Sequence, residues 1–207
     1  MKAVILANGL FPTDSALLDE LKQAKFLAVC DGAVHHLENL GIEPSVIVGD
    51  LDSIPARLRD KYSQKVIHIK EQESNDLSKA FYHCLSLGFD EFVILGATGK
   101  REDHSIANIA LLAEFFAQCK RIVIKSDFGE FEAHSLPCRL PSQKGEQISL
   151  FCLDPNVALT SEDLKYPLSS LRLKSWAIGA LNEAMGDFFS LKADQEGSVI
   201  VYRMKFL

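Results

Sequence analysis

Six short apolar runs alternate with helical patterns over the first 125 residues, and this alternation restricts the possible folds more than any other feature. Each run is rich in β-branched residues and apolar on both faces, which is typical of strands buried inside a parallel sheet. The runs are AVILA (3–7), FLAVC (26–30), SVIVG (45–49), KVIHI (65–69), EFVILG (91–96) and RIVIK (121–125). Strand–helix alternation of this kind predicts an N-terminal, doubly wound, mostly parallel α/β domain over residues 1–126.

Two of the stretches between these runs carry apolar side chains at helical spacing. In residues 75–88 the apolar stripe consists of Leu77, Phe81, Cys84 and Leu85, and Gly88 provides a stop signal. In residues 103–119 the corresponding stripe consists of Ile106, Ile109, Ala113 and Phe116. We expect each stripe to be the face that its helix buries.

The chain changes character in the remaining segment, residues 127–207. Turn signals recur in LPSQKGE (140–146), LDPN (153–156) and DQEG (194–197), and between them lie alternating runs such as QISLFCL (147–153) and SVIVYRMKF (198–206). No long helical pattern is present there. This combination predicts a small C-terminal antiparallel sandwich or barrel, residues 127–207, that packs tightly against the first domain; the β-sandwich is the form that the resemblance described below implies.

Charge and the length of the apolar runs argue against two kinds of partner. The formal net charge is −6, from 28 acids and 22 bases without a Lys or Arg block, so we expect no nucleic-acid partner. The apolar run near the N-terminus covers only residues 3–7, too few for a signal sequence or a membrane span, so we expect no membrane partner. The five cysteines form no C-x-x-C pair, which indicates reduced thiols and predicts a cytoplasmic protein.

Acidic residues follow the predicted strands one after another. Asp31 follows the second strand, Asp50 and Asp52 the third, Asp76 lies beyond the fourth and Asp103 beyond the fifth. Because ligands of open α/β sheets bind outside the carboxyl ends of the strands, we expect these acids to converge on one edge. Bound Mg²⁺, which prefers carboxylate and phosphate oxygens, would offset their repulsion. Taken singly, Asp76 and Asp103 could instead be helix caps, and Asp52 could lie in an ordinary turn.

The stretch GATGKRED (96–103) resembles a phosphate-binding loop but does not match the Walker pattern. Only two residues separate Gly96 from Gly99, and Lys100 is followed by Arg101 instead of Ser or Thr. The stretch still reads as a glycine-rich turn that runs into a helix N-terminus, an anion site to which Arg101 could add a fork-shaped donor.

Three ordered motifs in this region resemble the signatures of the thiamine pyrophosphokinase family. The first joins Asp31-Gly32 and Leu37 to Pro44 and the segment GDLDSI (49–54). The second is EQESND (71–76) followed by Lys79-Ala80, and the third is GATGKREDH (96–104) with Asn108. Weaker similarity in residues 164–168 and 179–184 extends the resemblance over nearly the whole chain.

The resemblance implies transfer of a pyrophosphoryl group from ATP to the hydroxyl of thiamine, with Mg²⁺, to give thiamine diphosphate and AMP. It implies that the α/β domain binds ATP and Mg²⁺, that the sandwich binds thiamine, and that the protein is a homodimer with thiamine near the subunit interface. By motif position, the metal and phosphate-site acids are Asp50, Asp52, Asp76 and Asp103. The phosphate-side donors are Lys79, Arg101 and His104, with Asn108 in support. Asp76 or Asp103 could accept the hydroxyl proton; the sequence leaves this choice open.

The chain departs from the family pattern at several positions. Glu71 and Glu73 replace two aspartates, which keeps the charge and lengthens the side chains. The usual Ser-Asn-Glu of the second half reads Leu181-Asn182-Glu183, so Asn182 remains as the implied contact to the substrate and one hydroxyl is missing. Tyr166 occupies the place of a common aromatic and lies either against thiamine or in the sandwich core.

Two other functions use similar residues. A metal-dependent phosphatase or hydrolase of the Asp-x-Asp type uses such a pair as nucleophile and acid, although its pair usually follows the first strand and here it follows the third. A non-catalytic nucleotide-binding module would keep the glycine-rich turn but would not need so many acids.

Overall fold

The structure, a computed structural model, describes residues 1–38, 40–152 and 154–205. It divides into two compact units, Met1–Asp127 and Phe128–Leu207. Leu153 and Phe206, the last residues of two predicted apolar runs, lie outside the described residues. No helix in the described ranges is long and apolar enough to cross a membrane.

The first unit contains a six-stranded parallel sheet. Its strands are β1 (Lys2–Leu6), β2 (Leu27–Cys30), β3 (Val46–Gly49), β4 (Val66–His68), β5 (Glu91–Leu95) and β6 (Arg121–Ser126). They lie in the order β6-β5-β1-β2-β3-β4, and every neighbouring pair is parallel. The direction of winding changes between β1 and β5, which is where open α/β sheets usually bind ligands. The predicted α/β architecture is confirmed.

Helices cover both faces of this sheet. They are α1 (Ser15–Lys22), α2 (His35–Glu38), α3 (Ala56–Lys61), α4 (Asp76–Ser86) and α5 (Glu102–Phe116). One core cluster joins Leu21 of α1 and Leu58 of α3 to strand residues such as Val29. On α4 and α5, Phe81 and Phe115 stack with ring centroids 4.0 Å apart, and both are fully buried. Burial of each such ring contributes about 1.5–3 kcal/mol.

The face that α4 buries was predicted correctly, and the face of α5 was not. On α4, Leu77, Phe81 and Cys84 are buried, as expected. On α5 the predicted stripe is not the buried face: Ile106 is 57% exposed and the other three residues of the stripe are half-buried, while the buried residues are Asn108, Leu112 and Phe115. The helix is apolar around much of its circumference, so its periodicity did not single out one face.

The fourth strand also differs from the prediction. Its run is not enclosed on both faces, because β4 is the edge strand of the sheet and Ile67 is 37% exposed. An edge strand has a neighbour on one side only, so it needs less apolar cover than the strands inside the sheet.

The second unit consists of two antiparallel sheets. Its strands are β7 (Gly129–Ser135), β8 (Cys138–Pro141), β9 (Gln147–Phe151), β10 (Ala158–Glu162), β11 (Leu171–Arg172), β12 (Asn182–Glu183), β13 (Phe188–Ala193) and β14 (Ser198–Met204). Within the unit, β12-β9-β14-β7 form one sheet and β11-β10-β13-β8 the other. Leu150 and Val201 of the first sheet share a core cluster with Leu159 and Phe189 of the second. This arrangement confirms the predicted sandwich.

Candidate active site

A cavity of about 420 Å³ lies at the carboxyl ends of the parallel strands in the first unit. Its lining comes from the loops that follow β1, β3, β4 and β5 and from the first turns of α4 and α5. Among the predicted site residues, those that line it are Asp50, Asp76, Lys79, Arg101, His104 and Asn108. The cavity therefore brings together residues that are far apart in the sequence but follow successive strands.

Three predicted site residues do not line this cavity. Asp52 is exposed in the turn after Asp50, and the side chain of Asp103 is 62% exposed on the first turn of α5. Asn182 belongs to β12 in the second unit.

Asp31 follows β2 and is completely buried. Its carboxylate accepts hydrogen bonds from the main-chain N–H groups of Gly32 at 2.5 Å and of Leu51 at 2.7 Å. Burial raises its pKa even though these donors oppose the shift. Gly49 leaves room for this side chain, because a Cβ at position 49 would lie 2.6 Å from the Asp31 carboxyl carbon. Asp31 thus shapes the turn after β3.

That turn carries Asp50 into the cavity. Leu51 has a φ of 70°, a left-handed conformation that costs a residue with a Cβ about 1–2 kcal/mol, and the bond to Asp31 helps to hold it. Asp50 accepts hydrogen bonds from the Asp52 N–H at 3.1 Å and from Nε2 of Gln72 at 3.1 Å. These two donors lower the pKa of Asp50, the Asp52 amide most, so Asp50 presents a negative charge to the cavity.

Asp76 and Lys79 occupy the first turn of α4. The Lys79 ammonium is buried and lies 3.6 Å from Oδ1 of Asp76. Asp76 is half-buried, and its pKa is raised, first by burial and then by the charge of Asp31. Asn75 caps the helix, since its Oδ1 accepts a hydrogen bond from the N–H of Ser78 at 2.9 Å. The cap and the acid are therefore different residues: Asn75 satisfies the helix end, and Asp76 remains available to the cavity.

Asn108 connects the glycine-rich turn to both helices. Its Nδ2 donates to the carbonyl oxygen of Ala97 at 2.8 Å, and its Oδ1 accepts from Nδ2 of Asn75 at 2.9 Å. Gly96 and Gly99 have φ values of 67° and 88°, which residues with a side chain rarely adopt. The turn after β5 is thus fixed at its glycines and at Asn108, although Asn108 itself was predicted only as a supporting residue.

Arg101 and Asp103 form an exposed ion pair at the rim of the cavity. The guanidinium donates to the carboxylate at 2.6 Å and 3.1 Å, and the N–H of His104 donates at 2.9 Å. The hydrogen bonds from Arg101 are the main reason that the pKa of Asp103 is lowered to about 2. Asp103 therefore orients Arg101 and does not project into the cavity.

The carboxylates suit a divalent cation that also binds substrate. Within residues 1–38, 40–152 and 154–205, no three His, Cys, Asp or Glu side chains lie close enough to hold a metal alone. Mg²⁺, however, is usually held by one or two carboxylates together with waters and substrate phosphates. Asp50 and Asp76 both line the cavity, so this pair of carboxylates fits Mg²⁺ chemically.

In the second unit, Asn182 is engaged by the main chain. Its Oδ1 accepts from the N–H of Tyr166 at 3.1 Å, and its Nδ2 donates to the Tyr166 carbonyl oxygen at 2.7 Å. Asn182 therefore fixes the backbone of Tyr166, whose side chain is 59% exposed and is not a core residue. Leu181 is 80% exposed and has a φ of 60°.

The residues that line the cavity but were not predicted as site residues include Gln72, Lys100 and Asn8. Gln72 binds Asp50, and Lys100 donates to the main-chain and side-chain oxygens of Asn8, each at 3.3 Å. Asn8 could have been found, because it directly follows the first strand and so lies at the same edge as the acids.

The sheet and the cavity place the chain among α/β proteins that have a ligand-sized cavity at the carboxyl ends of a parallel sheet. The model of the family described as "Thiamin pyrophosphokinase, catalytic domain" matches residues 17–124, and that described as "Thiamin pyrophosphokinase, substrate-binding domain" matches residues 129–202. The chain therefore belongs to the thiamin pyrophosphokinase family.

Individual relatives agree with this assignment. The chain is 33% identical to thiamin pyrophosphokinase 1 of Caenorhabditis elegans over 114 residues, which cover 50% of the chain and 46% of that protein. It is also 33% identical to thiamine pyrophosphokinase 1 of Oryza sativa over 95 residues, 41% of the chain and 35% of the relative. The matched segments thus span less than half of each of these relatives.

Solved structures resemble the whole fold. Thiamine pyrophosphokinase from Bacillus subtilis matches with a TM-score of 0.82 and 24% identity, covering 100% of both chains. The enzyme from Candida albicans matches with a TM-score of 0.80 and 16% identity over 99% of this chain and 90% of that one. At these identities the likeness establishes the fold.

Proposed function

We propose that this protein transfers a pyrophosphoryl group from ATP to the hydroxyl of thiamine, giving thiamine diphosphate and AMP. One observation carries the proposal: a single cavity is lined by carboxylates and by Lys and Arg side chains, in a chain that belongs to the thiamin pyrophosphokinase family. Phosphoryl transfer depends mainly on positioning and on neutralising charge, and this set of side chains can supply both.

The side chains proposed to donate hydrogen bonds to the phosphate groups are those of Lys79, Arg101 and His104, which line the cavity. Asp50 and Asp76 would hold Mg²⁺, and we keep Asp52 as the second acid of the turn. When bound, the ion would neutralise charge on the phosphate oxygens. We assign Asp103 to the orientation of Arg101, in accord with their ion pair.

We propose Asp76 as the acceptor of the thiamine hydroxyl proton. The two candidates differ in basicity: the pKa of Asp103 is lowered to about 2, whereas burial raises that of Asp76. A carboxylate with a pKa near 2 is a poor proton acceptor, which argues against Asp103, and Asp76 is the candidate of the two that lines the cavity.

We place the thiamine site on the second unit, with Leu181 and Tyr166 as candidate contacts and Asn182 holding the Tyr166 backbone. The proposed assembly is a homodimer, an inference from the family resemblance. Light scattering that gives a monomer mass in a fully active micromolar sample would argue against the dimer. The proposed location is the cytoplasm, where cysteines remain reduced.

The reaction can be tested with purified protein, MgATP and a separation of the nucleotide products, with and without thiamine. We expect AMP and thiamine diphosphate only when thiamine is present. Asp50→Asn serves as the matched inactive control, because it removes one cavity charge and keeps the size of the side chain. Phosphate released without thiamine would indicate a hydrolase, and unchanged ATP would indicate a binding module; either result contradicts the proposal.

A further inference from the structure

The charges around the cavity are distributed unevenly. Its acids, Asp50 and Asp76, belong to the turn after β3 and the first turn of α4. Lys100, Arg101 and His104 belong to the turn after β5 and the start of α5, whereas Lys79 lies beside Asp76 on α4. The lining residues contributed by the turn after β5 thus include two cationic side chains and no carboxylate.

Two of the three Lys and Arg residues that line the cavity already have a carboxylate partner. Lys79 lies 3.6 Å from Asp76, and Arg101 lies 2.6 Å from Asp103. Lys100 has no ion pair with any carboxylate in the described parts of the chain; its ammonium contacts only the two oxygens of Asn8, each at 3.3 Å. Its charge is thus the least compensated of the three.

The position of Lys100 is fixed by the main chain. The N–H of Gly9 donates to the Gly96 carbonyl at 2.5 Å, and that of Leu10 donates to the Thr98 carbonyl at 2.8 Å, so the turns after β1 and β5 are joined. Gly99 immediately precedes Lys100 and has a φ of 88°. Asn8 therefore meets Lys100 across two turns that cannot separate without losing these hydrogen bonds.

We propose that Lys100, steered by Asn8, binds a phosphate group of the nucleotide and so helps to set the preference for polyphosphates over nucleosides. The inference rests on the proposed function and deepens it. An ammonium group has three N–H donors, and the Asn8 oxygens occupy at most two of them through long bonds. A phosphate oxygen can take the remaining donor, or replace a neutral Asn8 oxygen and so pair the ammonium with an opposite charge. The family motif leaves position 100 unspecified, so the motif did not assign this role.

The test compares Lys100→Met and Lys100→Arg with the wild type. Binding of α,β-methylene-ATP, AMP and adenosine is measured by calorimetry at constant Mg²⁺ and without thiamine. We expect Lys100→Met to raise the Kd of the ATP analogue about tenfold, as for the loss of one charge-assisted hydrogen bond, and to leave adenosine unchanged. Lys100→Arg, which keeps the charge, should stay within about threefold of the wild type.

Lys25→Met is the matched control, because Lys25 is an exposed lysine of the same unit that precedes β2 and does not line the cavity. It should bind the analogue like the wild type. The inference is overturned if Lys100→Met binds the analogue as tightly as the wild type, if it weakens adenosine equally, or if the wild type itself fails to bind.

The same protein samples separate this inference from the proposed reaction. If the charge at position 100 governs binding of the analogue but no thiamine diphosphate forms from MgATP and thiamine, the proposed function fails and the phosphate contact stands. If thiamine diphosphate forms normally while Lys100→Met binds unchanged, the reaction stands and the role of Lys100 is wrong.

Discussion

Asn108→Ala should destabilise the first unit and weaken catalysis together. Asn108 is 7% exposed, and alanine would remove its bonds to the carbonyl of Ala97 and to the amide of Asn75. Two hydrogen bonds contribute about 0.5–1.5 kcal/mol each, and a buried carbonyl left without a donor adds to the loss. We therefore expect the free energy of unfolding to fall by about 2–4 kcal/mol.

The effect on activity follows from the turn that Asn108 holds. That turn carries Lys100 and Arg101 to the cavity, and small displacements of binding groups cost large factors in rate. We expect kcat/KM to fall about 10- to 100-fold. This loss should persist under conditions in which the variant is fully folded, because the turn is displaced.

The two units can be followed separately during urea unfolding. All described helices lie in the first unit, so far-UV circular dichroism near the helical band reports mainly on it. The single tryptophan, Trp176, lies in the second unit, so its fluorescence reports on the sandwich. The substitution should shift the dichroism transition to lower urea, and the fluorescence transition will follow only if the units unfold together.

A double-mutant cycle isolates the bond between Asn75 and Asn108. Each single alanine variant and the double variant are unfolded under the same conditions, and we expect a coupling energy of about 1 kcal/mol. The exposed Asn156→Ala is the control for the loss of an asparagine and should leave both transitions in place. Additive effects, or an unchanged dichroism transition in Asn108→Ala, would refute the network described above.

Three further predictions concern charged side chains of the site and the side chain of Leu181. Asp50→Asn should reduce turnover by more than about 100-fold and weaken Mg²⁺ activation, and Asp52→Asn should cost less, because only Asp50 lines the cavity; equal loss in both would contradict this. Arg101→Gln should return the pKa of Asp103 from about 2 towards 3.8 in a carbon NMR titration, and a pKa that stays near 2 would contradict the cause given above. Since that pKa is lowered on folding, the pair adds stability above about pH 3.8 that is lost as the pH falls towards 2. Leu181→Ser should lower the KM for thiamine about three- to tenfold with kcat little changed, by adding a hydrogen-bonding hydroxyl at an exposed position; an unchanged or higher KM would remove Leu181 from the substrate site.

The sequence was sufficient to predict the sheet because strands enclosed on both faces leave a clear signal. The runs that became β1, β2, β3 and β5 are apolar on both faces, and burial is nearly complete along each. The same reasoning did not predict the buried face of α5. Ile106 and Phe116 fit the helical spacing as well as Leu112 and Phe115 do, so the spacing alone could not identify the inner face. A polar residue, Asn108, marks the true inner face, and only its partners explain why it is buried.

The strand-end acids could be predicted as a group, but their individual roles could not. Sequence position places Asp31, Asp50 and Asp103 at the same edge, yet one is buried in main-chain hydrogen bonds, one lines the cavity and one pairs with Arg101. These differences depend on contacts between loops that are distant in the sequence. Patterns within one segment of the sequence cannot predict such contacts.

Because Gly49 packs against Asp31, substitutions at these two positions should depend on each other during evolution. Any side chain at position 49 would intrude on the carboxylate, because even a Cβ would lie 2.6 Å from its carbon. Replacing Asp31 first would release the main-chain N–H of Leu51 and disturb the turn that bears Asp50. A substitution at either position alone should therefore disturb the turn that bears Asp50. Lineages that vary here should exchange both residues together, and position 49 in the rest should remain glycine.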